Sequence, residues 1–146
     1  MTRYKCAPIV SGLAMFLIHP LPIAGQTVVP KVVIATDDRT VVLDALKAEA
    51  EAVNLHFVKA GSSSALFTQD AGQMPLRGQM ARVRLETTFH FEDAKPGTRL
   101  VVTEELIATL SAGFEDRRHP NPRDRVQAYQ DLLDRTKERV EGSPAP

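Results

Sequence analysis

The run Phe89–Leu106, FHFEDAKPGTRLVVTEEL, decides the fold of this chain. Upstream of it, ARVRLETTFHF puts Val83, Leu85, Thr87, Phe89 and Phe91 on one side of an extended backbone. Arg82, Arg84, Glu86, Thr88, His90 and Glu92 take the other side. That alternation suits a sheet with one face on a core and the other in water. Lys95-Pro96-Gly97-Thr98 then turns the chain. Proline presets a turn angle and glycine accepts positive φ. TRLVVTEELIATL returns as the partner strand, so the run predicts half of an antiparallel sheet.

Working outward, Lys31–Ala35 is a β-branched run of the kind that forms a strand. Thr36, Asp37 and Asp38 follow with side chains that can accept the free amides of a helix start. Leu43, Leu46, Ala50 and Val53 recur at helical spacing beyond them. Leu55–Ala60 and Ala65–Phe67, joined by Gly61-Ser62-Ser63-Ser64, read as a hairpin with a loose loop. AGQMPLRGQ, residues 71–79, reads as a connection, and SAGFEDRRHPNP, residues 111–122, as a polar loop. Val126, Tyr129, Leu133 and Val140 recur at helical spacing in a closing helix over Arg123–Val140, entered through Asn121 and Pro122. The reading is α+β. Two helices pack on one face of an antiparallel four- to five-stranded sheet in the order β-α-β-β-β-β-α.

The first residues, MTRYKCAPIVSGLAMFLIHPLPIAGQ, have the make-up of a secretory signal: Arg3 and Lys5, a short apolar middle, then small residues. Pro20 and Pro22 interrupt the apolar run, which falls short of the roughly 20 residues a membrane span needs. Cleavage after Gly25 is expected, with Ile23 upstream of the cut. The domain is then residues 26–141, residues 142–146 form a disordered tail, and no stable membrane span remains. Loss of Arg3, Lys5 and Cys6 turns a balanced chain of 18 basic and 18 acidic residues into one with 16 basic against 18 acidic and no thiol. Thiol chemistry and disulfides are excluded for such a mature chain. A charge balance of this kind gives no support to a nucleic-acid binder. The expected location is periplasmic or secreted.

KVVIATDDRTVVLDAL resembles the opening strand and helix of START-like, helix-grip domains, and FHFEDAKPGTRLVVTEEL is similar to their late hairpin. The closing helix completes that order. Small exported domains of outer-membrane assembly accessory lipoproteins have a comparable layout. The resemblance implies a helix packed across a sheet, with any apolar ligand held between them. It specifies no catalytic residue.

The candidate chemistry is sparse. His56, His90 and His119 share no spacing that would let one helix present two metal ligands, so they read as surface groups. Asp37 and Asp38 are explained by helix capping. Ser62–Ser64 lacks a nucleophile-elbow context. Arg117 and Arg118 lie in a mixed-charge loop that reads as solvated. Glu104 and Glu105 are more unusual, because alternation aims one of them at the helix-covered face. The expectation is that the strand frays or twists away before it is buried, since charged groups are rarely buried without a partner.

No catalytic residue, metal site or cofactor is assigned. The leading expectation is a non-catalytic exported binding or accessory domain with an envelope protein as partner. The alternatives are a carrier with Phe89, Phe91, Tyr129 and Leu133 as the wall for a small apolar ligand, and an enzyme using Glu104 or Glu105 with a histidine.

Overall fold

A computed structural model describes residues 29–120 and 125–142. The expected signal segment, the expected Asn121-Pro122 helix entry and most of the expected tail lie outside the described residues. The elements are β1 (Lys31–Ile34), α1 (Arg39–Glu51), β2 (His56–Ala60), β3 (Ser64–Leu76), β4 (Gln79–Asp93), β5 (Thr98–Thr109), β6 (Glu115–Arg118) and α2 (Val126–Glu141). They build the expected α+β architecture, with six strands rather than four or five. The strands run β1-β5-β4-β3-β2, all neighbours antiparallel, and β6 also pairs with β5. β1 pairs with Thr98–Val101 and β6 with Leu106–Thr109, so residues 102–105 of β5 fall between the two.

The β4–β5 hairpin forms as the alternation requires. Phe89 stands opposite Val102, Thr87 opposite Glu104 and Leu85 opposite Leu106. At its turn Gly97 has φ +92°, and a Cβ there would lie 2.0 Å from the carbonyl oxygen of Ile34. Glycine is needed for the angle and again for the close approach of β1.

Residues 71–79 are not a connection. β3 runs through to Leu76 and meets β4 at the two-residue turn Arg77-Gly78, with φ +51° and +75°. Such a turn usually carries Asn-Gly, so arginine in first place disguised it. A bulge hid the strand as well. Asp70 pairs with Arg84 and Gly72 with Val83, which leaves Ala71 extra. Before the bulge Ala65 and Phe67 face the core, and after it Met74 and Leu76 do, so the parity of the apolar positions switches. The Asp70 carboxylate accepts from the Gly72 amide at 2.8 Å, and Gly72 adopts φ +85°. A reader seeking strict alternation sees two short fragments where there is one long strand.

The expected polar loop at 111–122 likewise contains β6. Its four residues are all charged, and charge on an edge strand leaves no apolar signature.

α1 is capped by Asp38, whose carboxylate accepts from Thr40 and Val41 at 2.9 and 3.4 Å. It ends where Asn54 takes φ +61° and Leu55 donates to the Ala50 carbonyl at 2.9 Å. Its buried face is Val42, Ala45, Leu46, Glu49 and Ala50. The face is therefore rotated from the expected one: Leu43 is half-buried, and Val53 lies past the helix end and is exposed. α2 starts at Val126 and buries Tyr129, Leu132, Leu133 and Thr136, leaving Val126 and Val140 partly covered. Both helices lie on the face of Phe67, Phe89, Leu100 and Val102, where they form one core cluster with Ile34, Val42, Leu46 and Leu133.

α2 also closes one edge of the sheet. Gln130 bonds both the amide and the carbonyl of Lys31, Lys137 donates to Val33, and Glu141 accepts from Ala35. These backbone groups point away from β5, and side chains one to two turns apart along α2 satisfy them. At the opposite edge β2 is exposed along its length, broken by a bulge at Val58 and followed by Lys59. Among the described residues no helix is long and apolar enough to cross a membrane.

Candidate functional site

Glu104 does not fray into solvent. It lies on the helix side of β5 opposite Thr87, and its side chain is 10% exposed. Partners make this tolerable. The Tyr129 hydroxyl donates to Glu104 Oε1, and Arg125 Nη1 reaches the same oxygen at 2.7 Å. With its proton committed to the carboxylate, the Tyr129 oxygen accepts from Thr87 Oγ1 at 2.8 Å. Arg125 Nη2 donates to Gln69 Oε1 at 3.0 Å, and its guanidinium lies 5.1 Å from the centre of the Tyr129 ring. Burial first, then the Glu104 carboxylate, pushes the Tyr129 phenol well above the usual tyrosine range.

This cluster is the strongest acid/base candidate in the described chain, and its members are used up by each other. No buried side-chain polar atom among the described residues lacks a hydrogen-bond partner. What the cluster does chemically is hold the first turn of α2 against three strands. Sequence reasoning raised Glu104 but missed Arg125, Thr87 and Gln69. The signal was there in the strand pattern: Gln69, Thr87 and Glu104 are polar residues at core-facing positions in the middle of β3, β4 and β5.

A second partnered carboxylate joins the helices. Glu49 on α1 is 8% exposed and accepts from Arg139 at 2.7 Å and Arg135 at 3.1 Å. The Arg139 bond leads in holding its carboxyl below the ordinary range, against the opposing effect of burial.

Phe89, Phe91, Tyr129 and Leu133, the expected apolar wall, are brought together on one face at 0–5% exposure. Their surfaces are spent on protein neighbours. The Phe89 ring meets Phe67 edge-on at 5.3 Å, and Phe67 meets Phe57 at 5.5 Å. The histidines do not converge. His56 is on the exposed β2 edge, His90 shares a 3.0 Å hydrogen bond with Thr103, and His119 follows β6 in an exposed position. Among the described residues no group of three His, Cys, Asp or Glu side chains could hold a metal. Asp38 caps α1 and Asp37 is exposed; Ser62 and Ser63 form the β2–β3 turn, and Ser64 opens β3.

The opposite face of the sheet carries no helix. Its centre is a network of charges. Glu86 and Glu105 stand directly opposite each other on β4 and β5, a repulsive pairing. Arg117 on β6 bridges them at 3.9 and 3.3 Å and also meets Glu115 at 3.2 Å. Arg84 binds Glu86 and Glu115, each at 3.2 Å. Arg117 is thus part of a strand, and the loop reading of it is replaced. Arg118 pairs with Asp116 at 2.5 Å. Beyond this network, toward the Arg77-Gly78 turn, the same face has a cleft of about 470 Å³. Arg82 and Arg84, Gln73, Thr109 and Ser111, and Met80 and Leu110 line it, with no acidic residue among the lining side chains.

No protein-family model matches the chain, and no curated protein matches it. Among solved structures it is similar to the crystal structure of a DUF4468 family protein from Bacteroides ovatus. That similarity covers 82% of this chain and 88% of the other at 11% identity, with a TM-score of 0.42.

Proposed function

We propose that this protein is an exported, non-catalytic binding domain of the cell envelope that meets its partner through the helix-free face of its sheet. The observation that carries the reading is the contrast between the two faces. On the helix side, the carboxylate best suited to acid/base chemistry is committed to Tyr129 and Arg125. The other face spans β3, β4, β5 and β6 and offers charges, hydroxyls and a cleft to solvent. A domain of this kind works by presenting a surface. Export is supported by the make-up of the Arg3–Gly25 segment, a basic start, a short apolar middle and small residues.

The test uses the full chain expressed in a bacterial host with a photo-crosslinking residue at single positions. Thr88 and Thr103 sample the open face; Gln127 and Asp131 sample the solvent side of α2. The reading expects a protein adduct from the envelope fraction at the two threonines and none at the two helix positions. Adducts confined to α2, or none at any position, would overturn it. Mass spectrometry of the same material tests export, with loss of residues 1–25 as the expected result and an intact N-terminus as the contrary one.

A further inference from the structure

The cleft on the open face has a chemistry of its own. It is bounded by two guanidinium groups and no carboxylate, so its lining carries a formal charge of two positive units. Arg84 is held from behind: Nε goes to Glu86 and Nη2 to Glu115, which fixes the group and leaves Nη1 unused by these pairs. Arg82 is exposed and takes part in none of the ion pairs among the described residues. The two arginines project from the same side of β4, being two positions apart on one strand. The Gln73 amide and the Thr109 hydroxyl flank Arg82, since Arg82 pairs with Gln73 on β3 and with Thr109 on β5.

The rest of the lining is Ser111 and two apolar side chains. Met80 is 60% exposed, one of the most exposed large hydrophobic side chains described, and Leu110 is half-buried beside it. A volume of about 470 Å³ lies within the span typical of small-ligand sites. An unpaired guanidinium beside an exposed thioether suits a ligand with an anionic head and a short apolar body.

We infer that this cleft binds a small organic anion, a carboxylate or a phosphate monoester on a short alkyl group, with Arg82 and Arg84 on the head and Met80 and Leu110 against the alkyl part. The inference rests on the open face being the contact surface and names a ligand class for it.

The experiment is an amide-resolved NMR titration of the full mature chain with three probes: hexanoate, hexyl phosphate and neutral hexanol. Expected are saturable shifts confined to the cleft, centred on Arg82, Thr109 and Leu110, with one or both anions. Hexanoate alone marks a carboxylate site and hexyl phosphate alone a phosphate site. Arg82→Gln should weaken the bound anion by about tenfold or more, the loss of a charge-assisted contact. Arg99→Gln, on the same face but paired with Glu92 outside the cleft, should leave affinity unchanged. Absence of saturable shifts with either anion, equal binding of hexanol, or indifference to Arg82→Gln would each overturn the inference. If the anions fail while crosslinking still finds a partner at Thr88 and Thr103, only the ligand class falls. If the crosslinks fail as well, the open-face reading falls with it.

Discussion

Glu104 stands at a position where the pattern of β5 calls for an apolar side chain, and four other polar residues make it tolerable. Replacing it with glutamine keeps the shape but leaves Arg125 partly buried without its counter-charge. Glu104→Gln is expected to cost about 1–3 kcal/mol, and Tyr129→Phe about 1 kcal/mol. Because both changes strike the same contact, the double variant should cost less than the sum, which urea denaturation of the four proteins would measure. Additive costs would mean that the two groups do not act together.

Tyr129 yields a second test at this scale. Tyr4 and Tyr129 are the two tyrosines of the chain, and removal of residues 1–25 leaves Tyr129 alone. Its folded-state value is raised by burial and by Glu104. The stability it contributes is thus fully present below its unfolded value of about 10. That stability is lost as pH rises toward the folded value. Tyrosinate absorbance should therefore appear together with alkaline unfolding. A tyrosine that ionised at ordinary pH in a still-folded protein would contradict the buried cluster.

Among the elements, the long β3–β4–β5 meander rests on two backbone features. Gly97→Ala adds a methyl group into the Ile34 carbonyl at a positive-φ position. The expected cost is more than about 2 kcal/mol, read from the denaturation midpoint. Deleting Ala71 removes the extra residue but keeps the pairs on either side, Asp70 with Arg84 and Gly72 with Val83, so Met74 and Leu76 stay on the core face. The deletion variant is expected to unfold cooperatively, with at most a small loss of midpoint from disturbing the Asp70–Gly72 bond. Loss of cooperative unfolding or binding of a hydrophobic dye would show instead that the bulge itself, not the pairing on either side of it, holds this end of the meander.

In the whole molecule α2 is joined to α1 by ion pairs and to the β1 edge by Gln130, Lys137 and Glu141, around an apolar core shared by both helices. Glu49 is the link between α1 and α2. Its carboxyl is lowered in the folded state, chiefly by Arg139. Its contribution is therefore present above the unfolded value of about 4.3 and is lost as pH falls through the lowered folded value. Glu49→Gln should be less stable than the parent at neutral pH by about 0.5–1 kcal/mol, since both arginines are partly solvated. The gap should close below pH ~4. A pH-independent gap would assign the effect of the substitution to packing.

The amino-acid sequence by itself determined the α+β class, the β4–β5 hairpin, the capped start of α1 and the existence of α2. Each is a local matter: a period of two or of 3.6, a turn glycine, a cap carboxylate within reach of its own helix. Tertiary structure alone decided the rest. The register change at Ala71 has meaning only once β3 lies beside β4, and β6 is a strand only because β5 presents it with a free edge. Glu104 becomes an interior group when Arg125 and Tyr129, distant in the chain, arrive with α2. The cleft of Arg82 exists because Gln73 and Thr109 flank it from neighbouring strands. Pairing across a sheet joins residues that no window of the chain holds together, so partners that decide burial, charge and binding come into view only with the fold.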